Sequence, residues 1–211
     1  MNDVKEIFRL PAPGPRPLGI AADGTQIWLG SLDSEHLYSM DRSQWAPSQE
    51  TAAPGQPFGI AVVGDELRVV VGEGEADDRY IYRFVPGRGF KEKIACPEMT
   101  GSHLAYDGEM LFLSQAHDGR ILELNEQGGI VREIRVGRGV FGIVIVEGQF
   151  HVLTGESAKH TGVLTRVDVR HGEPVIEDLA TIPFIARGLA FDGTRFWTNH
   201  SSQNETVAFE I

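Results

Sequence analysis

The sequence predicts an all-β fold, a five-bladed β-propeller with four antiparallel strands in each blade, and three observations support this prediction. A short apolar motif recurs five times along the 211 residues. Each copy opens a unit with the same order of turns and strand-like segments. The last unit lacks one segment, and a matching segment stands unassigned near the amino end.

The repeated motif is a run of small and apolar residues that ends at a tight turn. It reads Leu-Gly-Ile-Ala-Ala-Asp-Gly at 18–24 and Arg-Gly-Leu-Ala-Phe-Asp-Gly at 187–193. The second residue of each copy serves as an anchor, and the five anchors are Gly19, Gly59, His103, Gly142 and Gly188. Successive anchors are 40, 44, 39 and 46 residues apart, close to the ~40–45 residues of a four-stranded propeller blade.

Each unit can be divided into four strands, A to D. The motif is strand A, and a turn such as Asp23-Gly24, where glycine accepts a positive φ, separates it from strand B at 27–29. Strand C alternates apolar and polar residues, as at 80–84, and strand D follows, as at 130–136. The order of short strands and glycine-rich turns is typical of a propeller.

The fifth unit stops after strand C, and residues 4–10 resemble the D strand at 130–136. We therefore predict that the amino-terminal segment completes the last blade and leaves no open edge. The blades would span 17–56, 57–100, 101–138, 139–185, and 186–211 together with 1–16. A solenoid is the alternative, and the divided last blade argues against it.

Composition restricts the partners. Nineteen basic residues against 30 acidic residues give a net charge of −11, which disfavours binding to nucleic acid or to an anionic membrane. A single cysteine, Cys96, excludes an internal disulfide framework and a cysteine-rich zinc module. Residues 1–6 lack the basic start and apolar core of a signal peptide, so we expect a cytoplasmic protein whose partner is a small molecule.

Propeller topology gathers the D–A and B–C loops on one face, which we call the front. Equivalent positions of the five B–C loops carry Asp33, Glu73, His117, Glu156 and Ser202. On the D–A side, His103 replaces the glycine of the other anchors, and Phe58, Phe141 and Arg187 each precede an anchor. Apolar walls with a few convergent polar groups predict a small-molecule site in a central funnel.

The polar groups suggest specific chemistry. Glu73, Glu156 and His117 could hold Mg²⁺, Mn²⁺ or Zn²⁺, although carboxylates of an acidic chain can also be simply solvated. His103 and His200 could act as acid–base catalysts, because the reference pKa of histidine is about 6.5, or they could be structural. Without a metal, Glu73 or Glu156 would shuttle protons.

The substrate-binding candidates are Arg187, Phe58, Phe141 and Gln115. Arg187 could hold a carboxylate or phosphate of the substrate, or it could pair with Glu156. The segment 137–142 fits G-x-G-x-x-G but leads into a strand, so no nucleotide cofactor is expected.

Two further groups are predicted to be structural. Cys96 lies in an outer strand before Pro97 and is not expected to be a nucleophile. The aromatic residues of strand B are expected to pack between adjacent blades, and they are Trp28, Phe112 and Trp197.

The units Gly-Ile-Ala-Ala-Asp-Gly-Thr-Gln-Ile-Trp-Leu-Gly (19–30) and Gly-Leu-Ala-Phe-Asp-Gly-Thr-Arg-Phe-Trp-Thr-Asn (188–199) resemble propeller blades of three related groups. These groups are the streptogramin lyases, the gluconolactonase-like proteins and the glutamine cyclotransferases. The similarity spans nearly the whole chain. It is a blade signature and carries little chemistry by itself.

The resemblance implies a lyase or cyclase that acts next to a carbonyl. Streptogramin lyases use a metal held by acidic groups and a catalytic histidine, which implies these roles for Glu73, Glu156 and His117, with His103 or His200. Those enzymes have seven blades, so their residues cannot be transferred by position. Glutamine cyclotransferases share the five-blade count, but no catalytic motif transfers from them. A non-catalytic propeller that binds a ligand or a protein is the alternative.

Overall fold

Five antiparallel sheets form a ring in the computed structural model, which describes residues 1–155, 161–170 and 172–211. The chain begins with β1 (Asn2–Asp3) and β2 (Lys5–Pro11). Blade 1 contains β3 (Pro17–Asp23), β4 (Gln26–Ser31), β5 (His36–Asp41) and β6 (Ala46–Ala52). Blade 2 contains β7 (Gln56–Val63), β8 (Glu66–Glu73), β9 (Asp78–Val85) and β10 (Gly89–Ala95).

The remaining blades follow the same order. Blade 3 contains β11 (Leu104–Tyr106), β12 (Leu111–Gln115), β13 (Arg120–Leu124) and β14 (Ile130–Arg135). Blade 4 contains β15 (Val140–Val146), β16 (Gln149–Thr154), β17 (Gly162–Asp168) and β18 (Val175–Ile182). Blade 5 contains β19 (Arg187–Phe191), β20 (Phe196–His200) and β21 (Glu205–Glu210), and β2 is its outer strand. The predicted five-bladed propeller is confirmed.

The two ends of the chain close the ring as the sequence predicts. Strand β2 pairs antiparallel with β21, from Lys5 opposite Glu210 to Pro11 opposite Glu205. One feature was not predicted: β1 adds a parallel fifth strand to β18 of blade 4, with Asn2 opposite Ala180. The amino-terminal segment thus joins blade 4 to blade 5.

Aromatic residues fill the spaces between blades. The ring centroids of Trp28 and Phe84 lie 5.7 Å apart, edge to face, across blades 1 and 2. Phe112 meets Phe150 of blade 4 at 4.9 Å. Trp197 stacks on Trp45 of blade 1 at 5.6 Å. These contacts confirm the inter-blade packing predicted for strand B.

The innermost strands β3, β7, β11, β15 and β19 approach one another closely at the anchor positions. A Cβ atom at Gly142 would lie 2.8 Å from the carbonyl carbon of Gly188, and one at Gly59 would collide with the Cα atom of His103. Glycine is therefore required where two inner strands touch. Blade 3 alone carries a side chain at this level, that of His103, and it lies near the axis at the front face.

Helical structure in the described ranges is limited to short 3₁₀ turns such as Pro97–Met99 and Ser201–Gln203. No helix among these residues has the length and hydropathy that crossing a bilayer requires.

Candidate functional site

A cavity of about 690 Å³ opens on the axis at the front face. It lies where the inner strands begin, and the loops of blades 2 and 3 form most of its rim. Further along the axis the inner strands enclose only a narrow apolar channel of about 130 Å³. The front cavity has the size of a small-molecule site. Its polar and aromatic walls include Phe58, Arg79, His103, Gln115, Phe141 and Arg187.

A second cavity of about 690 Å³ lies between blades 5 and 1, beside the stacked Trp45 and Trp197. Its arginine side chains form ion pairs with nearby carboxylates. Arg42 is 3.1 Å from the buried carboxylate of Asp192, and Arg195 is 3.3 Å from Glu210. The front cavity is therefore the better candidate for binding and chemistry.

His103 is held in the front cavity by its backbone. Its N–H donates to the hydroxyl of Ser114 at 3.0 Å, and the Ser114 N–H donates to the His103 carbonyl at 2.8 Å. The residue is 4 % exposed, and neither ring nitrogen has a hydrogen-bond partner among the described residues. Burial, with the charges of Arg187 and Arg79, lowers the pKa of His103 to about 3, so the imidazole is neutral at pH 7.

Arg187 begins β19 and enters the cavity over an aromatic wall. Its guanidinium carbon lies 4.3 Å from the ring centroid of Phe141, and one N–H donates to the carbonyl of Ala186 at 3.0 Å. Burial lowers the pKa of Arg187, but a guanidinium stays charged at neutral pH. Arg187 forms no ion pair with any residue in the described ranges.

Arg79, which the sequence analysis did not single out, stands over the other aromatic wall. Its guanidinium carbon lies 3.3 Å from the Phe58 ring centroid, and it donates to the Gly101 carbonyl at 2.9 Å. It also donates to both carboxylate oxygens of Asp77, with a distance of 2.9 Å from Nε to Oδ1. Arg79 is therefore neutralised within the protein.

Arg79, Asp77 and Phe58 pack together because Gly72 leaves space for them. Gly72 is opposite Arg79 in the pairing of β8 with β9. A Cβ atom at Gly72 would overlap the Asp77 carboxylate and lie 3.0 Å from the Phe58 ring. The sequence does contain a signal for Arg79. Gly72 lies at the end of strand B and Arg79 at the start of strand C, so a hairpin brings them opposite each other.

Gln115 lines the cavity, but its amide is already engaged. It donates to the Thr100 hydroxyl at 2.8 Å and to the Pro97 carbonyl at 3.1 Å, and it accepts from Arg120 at 2.6 Å. The side chain thus fixes the loop between blades 2 and 3. It shapes the wall that a ligand would meet.

Of the predicted metal ligands, the structure describes Glu73 and His117, and only His117 lines the cavity. Glu73 lies outside the cavity, where it accepts hydrogen bonds from Lys93 at 2.7 Å and from the Tyr82 hydroxyl. Burial opposes its ionisation, but these hydrogen bonds outweigh burial and lower the pKa of Glu73. His117 is exposed at the cavity rim, and Glu156 lies outside the described residues.

Within the described ranges, no three side chains of histidine, cysteine, aspartate or glutamate are grouped so that they could hold a metal ion. The equivalent Asp33 of blade 1 is paired with Arg16 at 2.8 Å. The described residues therefore do not form the predicted metal centre by themselves, and its third predicted ligand, Glu156, lies outside them.

His200 also lies away from the cavity lining. Its ring stacks on Phe184 at 4.5 Å, and Nδ1 lies 3.3 Å from the Arg9 guanidinium and 3.7 Å from Glu205. Burial and the charge of Arg9 lower the pKa of His200. His200 is the last residue of β20 and faces the outer strand β2, so it does not share a site with His103.

Cys96 is buried, and burial raises its pKa to about 12, which makes the thiol a poor nucleophile.

No protein-family model matches the sequence, and no curated protein matches it. Solved structures do resemble the fold. Glutaminyl cyclase from Myxococcus xanthus superposes with a TM-score of 0.72 at 13 % identity, over 99 % of this chain and 98 % of that one. A catalytically inactive virginiamycin B lyase from Staphylococcus aureus, with quinupristin, gives a TM-score of 0.55 at 14 % identity, over 96 % and 83 %.

Hydrazine synthase from Kuenenia stuttgartiensis gives a TM-score of 0.57 at 16 % identity and covers 90 % of this chain. This chain spans only 57 % of that protein's length. Other similar propellers include a calcium-binding protein and a PQQ-bound dehydrogenase. The comparisons therefore support the β-propeller fold, and enzymes occur among the structural neighbours.

Proposed function

We propose that the front cavity is the active site of an enzyme that transfers a proton next to a carbonyl of a small molecule, in a lyase or cyclase reaction. The observation that carries this proposal is His103, a buried imidazole with no hydrogen-bond partner among the described residues, in a cavity that two guanidinium groups also line. The structural likeness to a glutaminyl cyclase and to a virginiamycin B lyase supports the reaction class.

Both reactions require a base and a stabilised oxygen. In an elimination, the base removes a proton from the carbon next to the carbonyl while the bond from the neighbouring carbon to the leaving group breaks. In a cyclisation, the base removes a proton from the attacking nitrogen while the leaving amine departs from the carbonyl carbon. In both, negative charge grows on an oxygen, and the protonated base then returns its proton to the leaving group. The neutral imidazole of His103 can accept the proton. The guanidinium of Arg187 can stabilise the oxygen, and Phe58 and Phe141 add apolar surface to the same cavity, which strengthens this interaction.

The pKa of His103 must rise for efficient proton transfer, because a base with a pKa of about 3 is a weak acceptor at pH 7. A substrate anion beside Arg187 supplies that change. It offsets one of the two positive charges that lower the pKa of the imidazole. In this proposal His103 becomes a stronger base only when the cavity holds its substrate.

The metal assistance predicted from the sequence would have to use Glu156 without Glu73, because Glu73 is engaged with Lys93 outside the cavity. Metal analysis and turnover in EDTA separate the two possibilities for this carboxylate. Turnover that survives EDTA but is lost in Glu156→Gln assigns proton transfer to the carboxylate. Turnover that EDTA abolishes and a divalent ion restores assigns the carboxylate to a metal.

The second candidate function is ligand binding without catalysis. The low pKa of His103 is the specific observation in its favour, since a permanently neutral imidazole suits hydrogen bonding better than proton transfer. This candidate predicts that substitutions in the cavity change affinity while the ligand remains chemically unchanged.

The experiment that tests the enzyme proposal is a search for turnover in a metabolite extract by mass spectrometry, followed by kinetics on the compound consumed. We expect His103→Gln to lower kcat by roughly 10²- to 10⁴-fold, the usual contribution of an acid–base group. His36→Gln, in blade 1 and outside the cavity lining, is the matched control and should retain turnover. Full activity of His103→Gln, or a bound ligand recovered unchanged by the wild-type protein, would contradict the proposal.

A further inference from the structure

We propose that the front cavity recognises a small monocarboxylate and that the guanidinium of Arg187 is its anchor. The inference rests on the proposed function in one respect: it names the substrate class for the same cavity. It does not require that catalysis occur there, so the two can be tested separately.

Most arginines of the chain are ion-paired, and Arg187 is not paired with any described residue. Thirteen of the 15 arginines lie within ion-pair distance of a carboxylate in the described ranges. The two exceptions are Arg88, which is exposed in a turn, and Arg187, which lines the cavity. A charge withdrawn from water without a counter-ion is costly, so a partly buried unpaired guanidinium indicates a place for a bound anion.

The contacts of Arg187 leave most of its donors available. The guanidinium is held over the Phe141 ring and by a hydrogen bond to the Ala186 carbonyl. These contacts use one of its five N–H donors, and a carboxylate can accept two of the others side by side. The neutral imidazole of His103 lines the same space and offers one more hydrogen bond.

The net charge of the cavity walls also favours a monoanion. Arg79 is already neutralised by Asp77, so the described walls supply one uncompensated positive charge, that of Arg187. The carboxylate of Asp78 lies at the same rim and opposes a dianion such as phosphate more strongly than a monoanion. A guanidinium without an ion pair among the described residues matches a single carboxylate. A cavity of about 690 Å³ leaves room for a larger body attached to the carboxylate.

The test compares each carboxylate with the amide of the same shape, using calorimetry on the full chain. The pairs are acetate with acetamide, benzoate with benzamide, and phenylacetate with phenylacetamide. We expect the best-bound carboxylate to bind about 10- to 100-fold more tightly than its amide, the range for hydrogen bonds to a charged group. Arg187→Gln should abolish this preference, and Arg187→Lys, which keeps the charge but loses the planar fork, should reduce it.

Arg195→Gln is the matched control, because Arg195 also lies over a phenylalanine, Phe8 at 5.3 Å, but outside the front cavity. It should leave the preference unchanged. The proposal is overturned if no carboxylate binds more tightly than its amide, if Arg187→Gln and Arg187→Lys both keep the preference, or if inorganic phosphate binds best. Carboxylate binding without any product would remove the enzyme proposal alone, and turnover restricted to neutral compounds would remove the carboxylate proposal alone.

Discussion

At the scale of single residues, the most consequential departure from the repeat is His103. Four anchors are glycine because adjacent inner strands touch there, and blade 3 instead places an imidazole at the axis. The sequence identified this residue but assigned it the reference pKa of a solvated histidine. Burial and two guanidinium groups, one of which belongs to the unpredicted Arg79, lower the pKa far below that value.

This pKa predicts how the stability of the protein depends on pH. In the unfolded chain His103 has a pKa of about 6.5, and in the folded protein about 3. Between these values the unfolded state binds a proton that the folded state does not, so stability falls as the pH is lowered from about 6.5 towards 3. The slope from this one residue is at most about 1.4 kcal/mol per pH unit.

Urea unfolding at pH 7, 6 and 5 measures the effect. His103→Gln should make the stability of the protein less dependent on pH in this range. A slope remains in His103→Gln, because burial also lowers the pKa of His151 and of His200. Equal slopes in the wild-type protein and His103→Gln would show that His103 is protonated normally in the fold.

At the scale of strands and loops, the repeat predicts where each strand lies but not how its side chains are used. Alignment of the five B–C loops places Glu73, His117 and Glu156 at equivalent positions. In the structure, Glu73 instead pairs with Lys93 of the outer strand, whereas His117 lines the cavity. Lys93 is distant in sequence, and its pairing with Glu73 depends on tertiary contacts. The loops differ in length between blades, so side chains at equivalent sequence positions need not point in the same direction.

The pairing of β8 with β9 yields a prediction at this scale. Gly72→Ala places a methyl group against Asp77, 3.1 Å from Arg79 Nε and 3.0 Å from the Phe58 ring. We expect a loss of about 1–3 kcal/mol in the free energy of unfolding, as for other overpacked sites, together with weaker ligand binding in the cavity. Denaturant unfolding and calorimetry measure the two effects.

Gly162→Ala is the control, because a Cβ atom there would make only ordinary contacts of 3.4–3.5 Å with Ala186 and Ile182. It should change stability by much less. If Gly72→Ala unfolds at the same denaturant concentration as the wild-type protein, the Arg79–Asp77 pair can move aside at little cost. The cavity wall that the pair forms would then be flexible.

At the scale of the whole molecule, the sequence predicts the closed ring because the repeat period and the divided last blade both follow from local patterns. The parallel pairing of β1 with β18 was not predictable, since two residues carry no periodicity. The cavity was partly predictable. Ring closure places Phe58, His103, Phe141 and Arg187 around one opening, but the Arg79 wall depends on the space left at Gly72.

The claim that this axial cavity is the functional site is tested most directly by NMR of the imidazole nitrogens of His103 during titration with the best-bound carboxylate. We predict that the free protein shows a neutral imidazole from pH 8 to pH 5, and that the ligand shifts the His103 signals in the wild-type protein but not in Arg187→Gln. A normal titration of His103 near pH 6.5, or signals that no bound ligand perturbs, would contradict the account.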